Sequence, residues 1–191
     1  VMMIFTGLEP PVLFAYGDSS ELEKLFKEVP SGIYQYGFMK DFRAIIANRL
    51  QPSVETIMLR MSLKPNEFSP ESAQDAFRLD ASDMPAVRSL FAHYQDRPDA
   101  FQESQLQSGI FFGVWEGQNL ISIAGTHVVS TNIGVAAVGN VFTRPDRRAS
   151  GQATRSTAGV VNALLEAGVR TIVLNVAKDN LPAIRCYRRL G

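Results

Sequence analysis

The residues of this chain best suited to chemistry stand in one short stretch, residues 144–154, which reads RPDRRASGQAT. Before it lies VAAVGNVFT (135–143), an apolar, β-branched run that reads as a strand, and after it a segment of helical periodicity. A strand feeding a glycine-containing turn and then a helix is an anion site by construction. The helix's first amides have no internal partners, and the macrodipole favours negative charge there. Gly151 lets a ligand approach the backbone closely, and Ala153 is too small to cover the amides. Arg144, Arg147 and Arg148 stand beside the turn with only Asp146 opposing them, so the chemistry implied is the holding of a pyrophosphate. Two common nucleotide motifs are ruled out. A P-loop closes on Gly-Lys-Ser/Thr and a dinucleotide fold carries G-x-G-x-x-G after an early strand, and neither pattern occurs here.

The elements that must position this turn follow from periodicity. The predicted helix after it covers 151–167, with Ala153, Thr157, Val160, Val161, Leu164 and Leu165 on one stripe and Gly168 ending it. TIVLNVA (171–177) reads as a strand covered on both faces, and Asn180 as the N-cap of a closing helix that holds Pro182 in its first turn and reaches Leu190. Upstream, FRLDA (77–81) is strand-like, 83–94 and about 98–107 are helical, and 110–116 with 120–129 form a hairpin around the turn GQN. The stretch KPNEFSPES (64–72) has loop chemistry and marks a seam between a unit at 1–68 and a domain at 75–191. Before that seam, VLFAY (12–16) reads as a strand, Ser20 and Glu23 as a capping box, and IYQYGF (33–38) as a second strand. Residues 40–50 are helical, and Ile57, Leu59, Met61 and Leu63 alternate on one face of a further strand.

A chain of 191 residues, 46% hydrophobic and 20% charged, suits a folded protein with a sizeable core. Lys plus Arg equals Asp plus Glu at 19 each, which leaves no long-range field to gather nucleic acid or an anionic membrane. One cysteine, Cys186, and two histidines leave no disulfide framework and argue against a metal site. The expected location is the cytoplasm, with neither nucleic acid nor membrane as partner. The chain begins at Val1 rather than Met, which fits truncation at one or both ends.

Arg148-x-x-Gly151-x-Ala153 resembles the Arg/Gln-x-x-Gly-x-Gly/Ala motif of the GNAT superfamily of N-acetyltransferases, and VFTRPDRRASGQA is similar to that family's strand, turn and helix. LNVAKDNLPAIRCYRRLG (174–191) resembles the family's closing strand and helix, with Asn180 and Tyr187 at its cofactor-arm and tyrosine positions. The resemblance covers about 77–191. It implies an α/β (α+β) fold, a mixed, mostly antiparallel sheet flanked by helices, here preceded by a small α/β unit. It further implies acetyl-CoA as co-substrate and a primary amine as acceptor, attacking directly in a ternary complex.

On these positions the resemblance implies that the amides of Arg148, Ala149, Ser150, Gly151, Gln152 and Ala153 hold the pyrophosphate, with Thr154 adding a hydroxyl. Val141, Phe142 and Thr143 would pair their backbone with the pantetheine amides, provided that their strand splays from its neighbour. Tyr187 would give a proton to the departing thiolate, and Asn180 would cap its helix and touch the cofactor arm. For the general base His127, Glu116 and a water chain stay open; Cys186 is discounted as a nucleophile because helix neighbours face different ways. Arg185, Arg188 and Arg189 read as a solvated helix face. Ala149 stands where the family often has glycine, and its methyl group is tolerable only at negative φ. The family fold normally continues with strands beyond the last helix, so either these are absent from this chain or the N-terminal unit supplies a substitute.

Two other functions compete: a non-catalytic acyl-CoA sensor, and a structural module. The N-terminal unit is loosely similar to the degenerate half of the glycine N-acyltransferases, which would make it a wall of the acceptor pocket. A homodimer is left open.

Overall fold

The computed structural model describes residues 1–6, 9–92, 94–98 and 101–191. The chain divides into two compact units, Val1–Glu55 and Thr56–Gly191.

In the first unit, β1 (Met2–Phe5) pairs antiparallel with β2 (Val12–Ala15). Helix α1 (Ser19–Phe26) follows, then β3 (Gln35–Gly37), parallel to β2, and the short α2 (Arg43–Ala47). The cap of α1 is Asp18 rather than Ser20: its carboxylate accepts from the Ser20 amide at 2.8 Å. An anionic acceptor also complements the positive end of the helix dipole, which a serine hydroxyl does not. Leu13, Leu22, Phe26, Phe42 and Ile46 form the core of this unit.

The second unit holds β4 (Met58–Ser62), β5 (Ala76–Leu79), α3 (Met84–Phe91), α4 (Glu103–Ser108), β6 (Phe111–Glu116), β7 (Asn119–Ser130), β8 (Val135–Thr143), α5 (Gln152–Glu166), β9 (Thr171–Ala177) and α6 (Leu181–Arg189). Its six strands run in the order β4-β9-β8-β7-β6-β5, and every neighbouring pair is antiparallel except β8 and β9. This is the mixed, mostly antiparallel sheet flanked by helices that the sequence implies. Pro85 sits in the first turn of α3, where a missing N–H is harmless. The second helical stretch, expected from about 98, is confined to α4, and residues 99 and 100 of that expectation lie outside the described residues.

Two cores sandwich the sheet. Leu79, Val87, Phe91, Leu106, Phe111, Ile123 and Phe142 cluster under α3 and α4, while Ala124, Ala136, Val138, Val160, Val161 and Leu164 cluster under α5. Fully buried residues such as Phe111 each contribute about 2–3 kcal/mol relative to exposure.

The seam falls elsewhere than its composition suggests. The loop composition places residues 57–63 in the N-terminal unit, yet β4 pairs with β9 from Met58↔Ala177 to Ser62↔Val173, and Arg60 Nε donates to Asn175 Oδ1 at 3.2 Å. The proline-rich stretch folds into two 3-10 turns, Pro65–Glu67 and Pro70–Ala73, inside the second unit. Loop chemistry marks a turn, but only backbone pairing decides to which unit a strand belongs. Thus a strand from the N-terminal side of that seam covers the edge of β9. That strand is also less buried than its apolar run implies, since Thr171 and Asn175 are exposed. A chain starting at Phe77 therefore loses β4 and bares the β9 backbone, and is expected to scatter light and melt well below a chain starting at Thr56. Thermal unfolding followed by static light scattering compares the two.

Candidate functional site

The pairing of β8 with β9 runs from Val135↔Thr171 to Val138↔Leu174 and stops, although β8 continues to Thr143 and β9 to Ala177. The two strands fork. Opposite the fork, β7 and β8 lose register between Ile123↔Phe142 and Gly125↔Gly139, where β8 carries one extra residue. Asn140 lies in this bulge with φ 50°, a left-handed conformation that asparagine tolerates better than most residues. Its Nδ2 is tied to Gln105 Oε1 at 3.1 Å. A bulge bends its strand, and this one turns residues 139–143 away from β9. Among the described residues no backbone pairing joins that segment to β9.

The end of β8 is pinned by a buried hydroxyl cluster, Ser122 Oγ to Thr143 Oγ1 at 2.8 Å and to Ser156 Oγ at 3.1 Å. This ties the strand to the first turns of α5 and so fixes the loop between them. No periodicity or motif announced those hydroxyls.

In the loop, Pro145–Arg147 makes a 3-10 turn, and Gly151, the N-cap of α5, is left-handed at φ 84° with no side-chain cap. Among the described residues, the backbone N–H groups of Ala149, Ser150, Gly151, Gln152, Ala153 and Thr154 have no protein acceptor. The Arg148 amide, expected among the free donors, is instead engaged by the Pro145 carbonyl at 3.3 Å. The Ser150 hydroxyl donates to the Arg147 carbonyl at 2.6 Å, which tightens the turn.

Ala149 does not keep negative φ. It stands at φ 61°, where a Cβ crowds the following carbonyl oxygen at a cost of roughly 1–2 kcal/mol. Ala149→Gly is expected to raise unfolding free energy by about 0.5–1 kcal/mol, once glycine's extra unfolded-state entropy is subtracted. Chemical denaturation measures it.

The three arginines are not free beside the turn. Arg147 binds Glu116 through Nη2 at 2.8 Å and Asp146 at 2.9 Å, while Arg144 pairs with Asp146 at 2.7 Å and reaches Glu116 at 3.6 Å. Arg148 turns back: Nε donates to the Thr143 carbonyl at 3.0 Å and Nη2 to Asp96 at 2.6 Å, with the guanidinium over the Phe142 ring. Glu116 and Asp96 lie far off in sequence, so a local charge count missed them. Glu116 is correspondingly a poor base, because Arg147 holds its carboxyl below the usual range.

Thr154 also departs from expectation. Its hydroxyl lies 3.2 Å from Cys186 Sγ on α6 and so is occupied away from the free amides. Burial pushes the Cys186 thiol up, which makes it an unreactive sulfur. Asn180 caps α6, its Oδ1 accepting from the Ala183 amide at 3.2 Å. Tyr187, on the inner side of α6, is half-buried, and burial pushes its phenol well above the ordinary value. It lines a cavity with Val138 and Leu174, the last paired residues before the fork. His127 lies across Gly139, the next residue of β8, so closely that a side chain there would collide with Nε2. The ring keeps an exposed edge, while the covered part pushes its pKa below the usual imidazole value.

The forked strands, the glycine turn with its free amides and the tyrosine helix thus converge at one end of the sheet. The acetyltransferase (GNAT) family model matches residues 73–191. The chain belongs to that family. A GNAT-family protein of Novosphingobium aromaticivorans is 25% identical over 70% of this chain, with TM-score 0.58, and this chain spans 57% of its length. An N-acetyltransferase-like protein of Streptococcus suis has TM-score 0.69 at 15% identity, covering 100% of this chain and 78% of its own. An N-acetyltransferase of Kribbella flavida has TM-score 0.63 at 17% identity, covering 95% and 76%. At such identity these last two likenesses concern the fold alone. No curated protein matches the chain. Among the described residues no group of His, Cys, Asp or Glu is arranged to hold a metal ion, and no helix is long and apolar enough to cross a membrane.

The GNAT elements gather most of the residues proposed from sequence: Val141, Phe142 and Thr143 on the free arm of β8, Ala149–Ala153 in the turn, and Asn180 and Tyr187 on α6. Arg148, Thr154 and Glu116 belong to the same neighbourhood but have protein partners, and so do the carbonyl and hydroxyl of Thr143.

Proposed function

We propose that the chain is an acetyl-CoA-dependent N-acetyltransferase that moves an acetyl group to a primary amine by direct attack in a ternary complex. The observation that carries this reading is the fork: a strand segment at 139–143 that is not paired with β9 and leads into a turn with six free amides. A coenzyme has both features to satisfy. Its pyrophosphate takes the amides of residues 149–154, where the helix dipole favours negative charge. Its pantetheine amides pair with Val141, Phe142 and Thr143 as an added strand, which brings the thioester to the fork's vertex beside Tyr187. In this reading the carboxamide N–H of Asn180, left over from capping, contacts the same arm.

At that vertex the amine attacks the thioester carbonyl, the carbon–sulfur bond breaks, and Tyr187 gives its proton to the departing sulfur. The amine must first lose a proton. His127 suits that task, because a depressed pKa keeps it neutral near pH 7, it has an exposed edge, and it adjoins the fork.

A thermal-shift titration with acetyl-CoA, followed by a thiol-release screen over amines, amino acids and peptides, tests the reading. Stabilisation with amine-dependent release supports it. Stabilisation without release would favour a sensor, and no stabilisation at any concentration a structural module.

A further inference from the structure

The cavity beside Tyr187 has a volume of about 200 Å³. Val138 and Leu174 form its head at the vertex of the fork, and Val161 of α5, Ile172 of β9 and Met61 of β4 form its walls. Its far end reaches the surface near Lys64 and Arg188, both exposed. Thr157 of α5 also lines the cavity, with its hydroxyl oxygen buried away from it.

Geometry names the occupant. A pantetheine arm laid along 141–143 arrives at Val138 with its thioester, and the acyl chain then continues past the vertex into this apolar space. At interior packing density the volume holds a chain of roughly six carbons. We infer that the donor site accommodates acyl chains longer than acetyl, up to about six carbons, and binds their thioesters more tightly. This rests on the coenzyme-binding reading above, and it adds the class of acyl donor.

The test is calorimetric titration of the full chain with coenzyme A, acetyl-CoA, hexanoyl-CoA and decanoyl-CoA. Each buried methylene is worth about a three- to fourfold gain in affinity, so hexanoyl-CoA is expected to bind at least tenfold more tightly than acetyl-CoA. Decanoyl-CoA adds little more, because its tail emerges near Lys64. Val161→Phe on α5 and Met61→Phe on β4 each fill part of the cavity, and each is expected to bring the hexanoyl-to-acetyl ratio towards one. Should either variant fail to fold, the chain-length series on the unaltered protein decides. Coenzyme A binding with equal affinity for acetyl and hexanoyl thioesters would overturn the acyl pocket and leave the coenzyme site standing. No binding of any of the four would overturn both.

Discussion

Replacing Gly151 by valine is expected to lower affinity for coenzyme A by about 100-fold, the effect of losing two charge-assisted backbone hydrogen bonds. Gly151 stands at φ 84°, and a β-branched residue there either endures a left-handed backbone or pulls the loop out of shape. Nothing lies within 4 Å of the position its Cβ would take, so the effect is one of backbone angle and of access to the amides, not of collision with the core. Gly168 offers a matched control. It ends the same helix at φ 83° with equally open space, so Gly168→Val carries the same strain, about 1–2 kcal/mol, far from the turn. Isothermal titration of both variants separates the two effects. If Gly151→Val and Gly168→Val bind coenzyme A alike, the amides of this turn do not hold the phosphates.

Tyr187→Phe is expected to slow amine-dependent thiol release by 10²- to 10⁴-fold while leaving affinity for coenzyme A within about twofold. The variant removes one oxygen and keeps the ring, so packing on α6 survives. The raised phenol pKa does not disqualify the donor. The same desolvation that disfavours phenolate disfavours the departing thiolate, so proton transfer between them is not made harder. It also means that Tyr187 stays protonated beyond pH 10, and the alkaline limb of the rate profile must belong to another group. The sign for stability follows. Unfolded tyrosine ionises near pH 10 and the folded one higher, so its contribution is complete below pH 10 and declines as pH rises further. Stopped-time thiol assays from pH 6 to 10 check the first point, and alkaline denaturation of the wild type against Tyr187→Phe checks the second.

Strand and helix positions in the second unit were legible because periodicity and caps are local properties. The bounds of β8 and β9 follow from their apolar runs, and Asn180 and Gly151 announce their helices by residue type. The fork was foreseen only as a condition, since a bulge depends on what opposes Asn140 across the sheet. Asp146 does oppose Arg144 and Arg147 as its position suggests, but the remaining partners of the arginines did not show. Arg147 and Arg148 looked free because Glu116 and Asp96 lie in other elements, and only the folded sheet brings those carboxylates to the turn. Ala149 failed for a related reason. Its backbone angle is imposed by the closure of the loop onto α5, which overrides the preference of a single methyl-bearing residue. The misplaced seam is a third case, because Met58 and Leu59 carry no mark saying whether they pair with their own neighbours or with Val176.

That last pairing also sets a timetable. Arg60 meets Asn175 across 115 residues of chain, so β4 leaves the ribosome long before its partner exists. At a synthesis rate of about 5–20 residues per second, the delay is on the order of ten seconds. Through that interval Met58, Leu59 and Met61 stay without their β9 ladder, which is a contact of high sequence separation of the kind that slows folding. A holdase that shields nascent strands would therefore raise the yield of this protein more than one that acts after release.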